Sequence, residues 1–308
     1  MTTTAFQFTG VIPILATPFH DDESLDLVSL AQMIAFNKAV GVNGITLLGL
    51  LGESNRLTDD DRARIITAGV LAADGLPVIV GTSHTGTAAT IALTQQAADL
   101  GASAVMITAS AQPTPSDKAV FDYFARIGEQ VQLPIILQDH PAISQVHMPV
   151  ELILRMVREI PRIAGIKGEA LPSPARIGAL VKGMEGGRSV NVLTGLGALY
   201  GLFDLERGSA GFNTGFAFPE VLIAILREHQ AGNAARAFEI FTRFLPLLVF
   251  EQQPGLAIRK EILRLRGHIA CNRVRHPGAT IEAAASAQLQ RLLASTFPSE
   301  DITQPIVI

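Results

Sequence analysis

The sequence predicts an α/β fold, a (β/α)8 TIM barrel with a C-terminal helical extension. Three observations carry that expectation. Eight short apolar segments recur between residues 10 and 215, amphipathic helical stretches separate them, and several of those stretches end in glycine just before the next strand. Strands alternating with helices form a parallel sheet covered on both faces, and eight units suit a closed barrel. A doubly wound open sheet is the alternative, because periodicity alone does not prove closure.

The strands are read in chain order. GVIPILATPF (10–19) precedes a helix over 26–40, and GITLLGL (44–50) precedes one over 58–73. LPVIVGTS (76–83) leads to a helix over 87–101 and then to ASAVMITA (102–109). LPIILQD (133–139), RIAGIKGEA (162–170), VNVLTGLG (190–197) and GSAGFNTG (208–215) complete the set. From residue 216 to about residue 295 the chain reads as helix alone, longer than a final barrel helix requires. Residues 1–218 are therefore expected to form the barrel that carries the site. Residues 219–308 are expected to supply the last barrel helix and the extension, in one structural unit, with DITQPIVI (301–308) as an irregular arm.

Composition narrows the function classes. The 308 residues are 48% hydrophobic and 17% charged, as a globular protein with a sizeable core requires. A net charge of −4, no Trp and 2 Tyr argue against a nucleic-acid partner, which would want a basic surface and stacking platforms. The single cysteine, Cys271, excludes an intramolecular disulfide and fits a reducing compartment. MTTTAFQFTG lacks the features of a signal peptide, and no apolar run approaches the ~20 residues of a membrane span. A cytoplasmic protein with no membrane partner is expected. The histidines outside the predicted rim show no metal-ligand spacing, and the chain has no Walker loop and no complete G-x-G-x-x-G.

The chemistry is expected at Lys167. Only five lysines occur, and Lys38, Lys118, Lys182 and Lys260 lie in segments that read as polar helix faces or loops. Lys167 closes the apolar strand in IAGIKGEA (163–170). In such barrels catalytic groups sit at the C-terminal strand ends, alongside GLLGESN, LQDHP and TGLG here. An amine held away from water gives up its proton more readily, and the neutral amine attacks a ketone to form a Schiff base. The competing reading is a structural lysine that snorkels from the rim or pairs with Glu169. Composition and spacing leave both open.

The ordered motifs TPF (17–19), GLLGES (49–54), LQDHP (137–141), GIKGE (165–169) and LTGLG (193–197) resemble those of the dihydrodipicolinate synthase and N-acetylneuraminate lyase superfamily. The likeness runs from about Gly10 to beyond Pro254. It implies a (β/α)8 barrel with a helical extension, a homo-oligomer (tetramer or dimer), and lyase or aldolase chemistry. In that chemistry a lysine holds pyruvate or another small-molecule 2-oxo acid as a Schiff base, with no metal or organic cofactor, and Lys167 falls on that position. Carbon–carbon cleavage, condensation and dehydration are all compatible. A non-catalytic 2-oxo-acid-binding barrel is the alternative.

The departures from the family pattern shape the rest. Where the family carries two hydroxyl residues after strand two, this chain has Leu50 and Leu51; the amides from Gly49 onward remain to hold a carboxylate. The proton-shuttling tyrosine is replaced by Gln138, followed by Asp139 and His140. TASAQPTPS (108–116) lacks the synthase tyrosine pair, and Ile143 aligns with the synthase arginine. An authentic 4-hydroxy-tetrahydrodipicolinate synthase is therefore not expected. Glu169 shares a strand face with Lys167, and a carboxyl raised in pKa by an apolar site suits it to replace the tyrosine. His140 and Asp139 stand next in line. The expected catalytic set is Lys167, Glu169 and Gln138. The expected substrate-binding set is Gly49, Leu50, Leu51, His140, Gly195 and Asn213, with the two leucines favouring a less hydroxylated substrate.

Overall fold

The computed structural model describes residues 6–111, 116–253 and 255–308. Its strands are β1 Gly10–Val11, β2 Ile45–Leu47, β3 Val78–Gly81, β4 Ala104–Thr108, β5 Ile135–Asp139, β6 Ile163–Gly168, β7 Asn191–Thr194 and β8 Gly211–Phe212. Each lies inside one of the eight predicted segments. They pair in parallel in the order β1-β8-β7-β6-β5-β4-β3-β2. Closure comes just beyond β1, where Ile14 bridges Thr46 in parallel. There the Leu15 N–H donates to Thr46 O at 2.9 Å and the Thr46 N–H to Pro13 O at 2.7 Å. The sheet is a (β/α)8 barrel, and the open alternative is excluded.

Alternation along the strands sorts side chains into two layers. Ile12, Ile14, Ile79, Ala104, Met106, Ile136 and Leu193 fill the barrel interior over Phe8. Val80, Val105, Ile107, Ile135, Leu137 and Ile166 face the surrounding helices. Gly165 is needed at its position, because a Cβ there would overlap the Phe8 ring.

The covering helices are α1 Leu27–Ala39, α2 Asp59–Ala73, α3 Thr87–Asp99, α4 Asp117–Gln130, the short α5 Pro141–Ser144, α6 Val150–Glu159, α7 Ser173–Gly183, the short α8 Gly201–Leu205 and α9 Pro219–Gln230. Their starts follow local chemistry. Asp26 accepts the Ser29 N–H ahead of α1, and Thr58 with Asp61 forms a capping box on α2. Three further helices, α10 Ala234–Phe250, α11 Leu256–Leu265 and α12 Ala283–Thr296, follow α9. An aromatic-rich core including Phe212, Phe218, Phe241, Phe244 and Phe297 joins them to the last barrel unit. Among the described residues no helix is long and apolar enough to cross a membrane.

One sequence expectation fails here. Lys260 does not lie on a polar face: α11 buries it completely, at 0% exposure. Its Nζ pairs with Glu53 Oε1 at 2.5 Å, donates to Arg273 O at 2.6 Å and lies 4.5 Å from the Phe19 ring centroid. Glu53 Oε2 in turn accepts Arg56 Nη1 at 3.1 Å and the Arg275 N–H at 3.0 Å. The glutamate of GLLGES thus ties the loop after β2 to the C-terminal helices. A helical pattern cannot reveal a partner that arrives from the opposite end of the chain.

Asp204 in α8 supplies a pH test of the outer layer. It accepts the Ser173 hydroxyl at 2.9 Å, and burial pushes its carboxyl from 3.8 up to about 6, against the Ser173 and Thr194 hydroxyls. The folded state therefore binds this proton more tightly than the unfolded chain. The group's contribution to stability falls as pH rises from 3.8 through about 6 and is fully lost above that. Asp204→Asn keeps an acceptor for Ser173 without titrating. It should flatten the dependence of urea-unfolding stability on pH in that window, by no more than about 3 kcal/mol. An unchanged slope would show that Asp204 titrates normally.

Candidate active site

Gly165 and Lys167 of β6, with Glu169 just past its end, lie on the inward face, while Ile166 and Gly168 turn toward the helices. Lys167 and Glu169 are 5% and 6% exposed, and Lys167 Nζ stands 3.2 Å from Glu169 Oε2. Gln138 lies in register with Lys167 across the β5–β6 ladder, and its Nε2 donates to the same Oε2 at 2.6 Å. The Leu196 N–H donates to Glu169 Oε1 at 3.1 Å.

The LTGLG turn is shaped for that last contact. Leu196, Gly197 and Ala198 adopt φ values of 49°, 65° and 63°, which aim the Leu196 amide inward. A Cβ at Gly195 would overlap Glu169 Cγ, so glycine makes room for the carboxylate. Gly195 therefore acts on Glu169.

Burial pushes the Glu169 carboxyl up, but Lys167, His140, Gln138 and the Leu196 amide together outweigh it and hold the group below its ordinary value. The expected raised carboxyl is corrected. Its site is dry, yet its two oxygens meet the Lys167 ammonium, the Gln138 amide and the Leu196 N–H. In the unliganded protein Glu169 is ionised, and Gln138 orients it without exchanging a proton.

Beside this cluster a pocket opens at the rim between the loops after β2 and β5. Gly49, Leu50, Met106, Thr108, Gln138, His140 and Ile143 contribute to its wall. Gly49 precedes a 3-10 turn over Leu50–Gly52, whose first amides have no acceptor within the turn itself. His140 Nδ1 is buried with no hydrogen-bond partner among the described residues. Burial holds this imidazole below its ordinary value, against Glu169 and with help from Lys167, so it is neutral at neutral pH.

Three expected residues point elsewhere. Leu51 lines a separate cavity with Ile14, Met33 and Phe36, and it fills the space a Cβ at Gly215 would take. Asn213 is fully buried; its Nδ2 donates to Ile12 O at 2.8 Å and Thr46 Oγ1 at 3.0 Å, which braces β8 against β1 and β2. It is not part of the rim pocket. Asp139 faces the helices, where Arg176 Nε holds its Oδ2 at 2.5 Å and Arg176 also donates to Met148 O. Burial raises the Asp139 carboxyl against Arg176, and the residue anchors α7. One-residue steps along a strand reverse the face, which explains the split between Gln138 and Asp139.

Sequence reasoning missed Met106, Thr108 and Ser83. The alternation of β4 could have found the first two. The Thr108 N–H donates to Ser83 Oγ at 2.9 Å and Thr108 Oγ1 to Gln138 O at 3.2 Å, which stiffens the wall beneath Gln138. Residues 112–115, within the stretch where the synthases carry a tyrosine pair, lie outside the described residues.

Known proteins match both sequence and architecture. The family model for the dihydrodipicolinate synthetase family matches residues 7–296. An L-2-keto-3-deoxyarabonate dehydratase of Azospirillum brasilense is 31% identical over 286 residues, spanning 91% of this chain and 92% of that protein. The crystal structure of a dihydrodipicolinate synthase from Rhodopseudomonas palustris superposes with a TM-score of 0.89 at 33% identity, covering 93% of this chain and 97% of that one. YagE, a prophage protein of the same family from E. coli K12 solved in complex with pyruvate, gives 0.87 at 27% identity, over 94% and 98% of the two chains. With the barrel, its closure and the rim motifs in place, the chain belongs to the dihydrodipicolinate synthetase family.

Proposed function

We propose that this protein is a lyase that holds a 2-oxo acid as a Schiff base on Lys167 and removes water from it or cleaves it. The observation that carries this reading is the buried pair of Lys167 Nζ and Glu169, 3.2 Å apart, with the carboxylate fixed by Gln138 and the Leu196 amide. The dehydratase name of one relative and the pyruvate held by another support the substrate class. The missing tyrosine and the isoleucine at the synthase arginine position argue against lysine-biosynthetic synthesis. The chemistry asks for no metal or organic cofactor, and a homo-oligomer in the cytoplasm completes the reading.

Lys167 Nζ passes a proton to Glu169 and attacks C2 of the 2-oxo acid; Glu169 returns that proton to the carbinolamine hydroxyl, which leaves as water and gives an iminium beside a carboxylate. For dehydration, Glu169 removes a C3 proton to form the enamine. The enamine electrons then make the C3–C4 double bond as the C4 hydroxyl departs, taking that proton to leave as water. Hydrolysis of the iminium releases product and Lys167. One carboxylate serves both proton steps. The Lys167 nitrogen is a cation again as the iminium, which withdraws electrons from C3 and acidifies its proton toward the adjacent carboxylate.

Borohydride reduction in the presence of pyruvate tests the reading. It should add one reduced pyruvyl group to the peptide containing Lys167, and a panel of 2-oxo acids hydroxylated at C4 should include a turned-over substrate. No adduct, or an adduct on Lys182 or Lys260, contradicts it. Trapping without turnover across the panel favours a binding protein instead.

Glu169→Gln separates catalysis from structure. The amide still accepts the Leu196 N–H, so the fold and Lys167 stay in place. Turnover should fall by at least ~10²-fold, the low end for a positioned general acid–base group, and the pH–rate profile should lose one limb. A change of only a few-fold with lowered stability would reduce Glu169 to an ion-pair partner and move the proton role to His140.

A further inference from the structure

We infer that Leu50 and Ile143 form an apolar lip that selects a 2-oxo acid whose distal end, beyond C4, is an alkyl or aryl group. This rests on the Schiff-base reading of Lys167 and assigns the part of the substrate that faces away from it.

Leu50 and Ile143 are 46% and 56% exposed, placing them among the few large apolar side chains left in water in the described protein. They come from different rim segments, the turn after β2 and helix α5, yet they line one pocket. That pocket is floored by Gln138, whose Nε2 reaches the carboxylate paired with Lys167. Met106 and Leu48, both nearly buried, extend the apolar wall between them.

The polar groups of the same wall are mostly engaged with one another. Ser83 Oγ accepts the Thr108 N–H, Thr108 Oγ1 donates to Gln138 O, and Gln138 Nε2 donates to Glu169. His140 Nδ1 and the Ser54 hydroxyl remain, few enough to serve a C4 hydroxyl next to the chemistry but not a polyhydroxylated tail. A tail with several hydroxyls would exchange its water for a leucine and an isoleucine and leave those hydroxyls unpaired. An apolar tail would instead cover both side chains, at about 25 cal/mol per Å² of surface removed from water. Leu51, which the sequence groups with Leu50, takes no part because it lines another cavity.

Competition for the pyruvate adduct tests this whether or not a compound is turned over. Two probes share a C1 carboxylate, a C2 ketone and a C4 hydroxyl; one carries phenyl at C4 and the other hydroxymethyl. With wild-type protein, the phenyl compound should halve borohydride trapping of pyruvate at a concentration at least about 10-fold lower, the order expected of an apolar subsite. Leu50→Ser and Ile143→Ser should each shrink that ratio by several-fold, and the double variant should bring it to one or below. A wild-type ratio at or below one, or a ratio unmoved by both substitutions, overturns the inference while leaving the adduct intact. Absence of any pyruvate adduct in wild-type protein overturns the Schiff-base reading first, and the lip with it.

Discussion

Lys167→Ala is expected to reduce turnover by about 10⁴–10⁶-fold, the scale on which loss of a covalent nucleophile acts. The proposed route passes through an iminium, and no other described side chain places an amine beside Glu169 and Gln138. The borohydride adduct should disappear from the whole protein. Lys167→Arg should not restore it, because a guanidinium stays protonated and is no nucleophile. Glu169 would still accept Gln138 Nε2 and the Leu196 N–H, so circular dichroism and urea unfolding should report a folded barrel. An adduct that persists in Lys167→Ala, or turnover within 10²-fold of wild type in a folded variant, would remove Lys167 from the mechanism.

Lys260→Met is expected to cause the largest loss of stability. Taking one partner from a fully buried ion pair typically costs about 3–5 kcal/mol, because the remaining charge stays in a dry site. Glu53 would retain Arg56 and the Arg275 amide, which places the expected loss near the low end, about 3 kcal/mol. Adding Glu53→Gln removes the stranded charge and should recover much of that loss. Urea midpoints of the single and double variants measure both effects. A single variant within about 1 kcal/mol of wild type would mean that Glu53 finds water or another cation when Lys260 is gone.

The two lysines show how far one chain can be read before it is folded. Lys167 was legible because strand periodicity is local. An ammonium at the end of IAGIKGEA has apolar neighbours in sequence, and those become its neighbours in space. Glu169 followed from the same two-residue period, and the eight strands from apolar segments separated by amphipathic helices. Lys260 was misread because the pattern LAIRKEILRL of α11 suits an exposed helix face. Its carboxylate partner lies 207 residues earlier in the chain.

The sequence alone therefore determined eight alternating strand–helix units and the residue types at their C-terminal ends, while the bridge of Ile14 to Thr46 that closes the barrel belongs to the fold. Tertiary structure decided which of those residues face the pocket and in what charge state. Gln138 and Asp139 are adjacent in the chain, yet one meets Lys167's partner and the other anchors α7. Leu50 and Leu51 likewise separate into a rim pocket and an interior cavity. Glu169 is ionised although its site is dry, because a β5 amide, the LTGLG turn and Lys167 converge on its oxygens. The physical reason is the range of the forces. Backbone sterics and hydrophobic periodicity act between residues a few positions apart, whereas a carboxylate's proton affinity is set by whatever dipoles and charges the completed fold brings within a few ångströms.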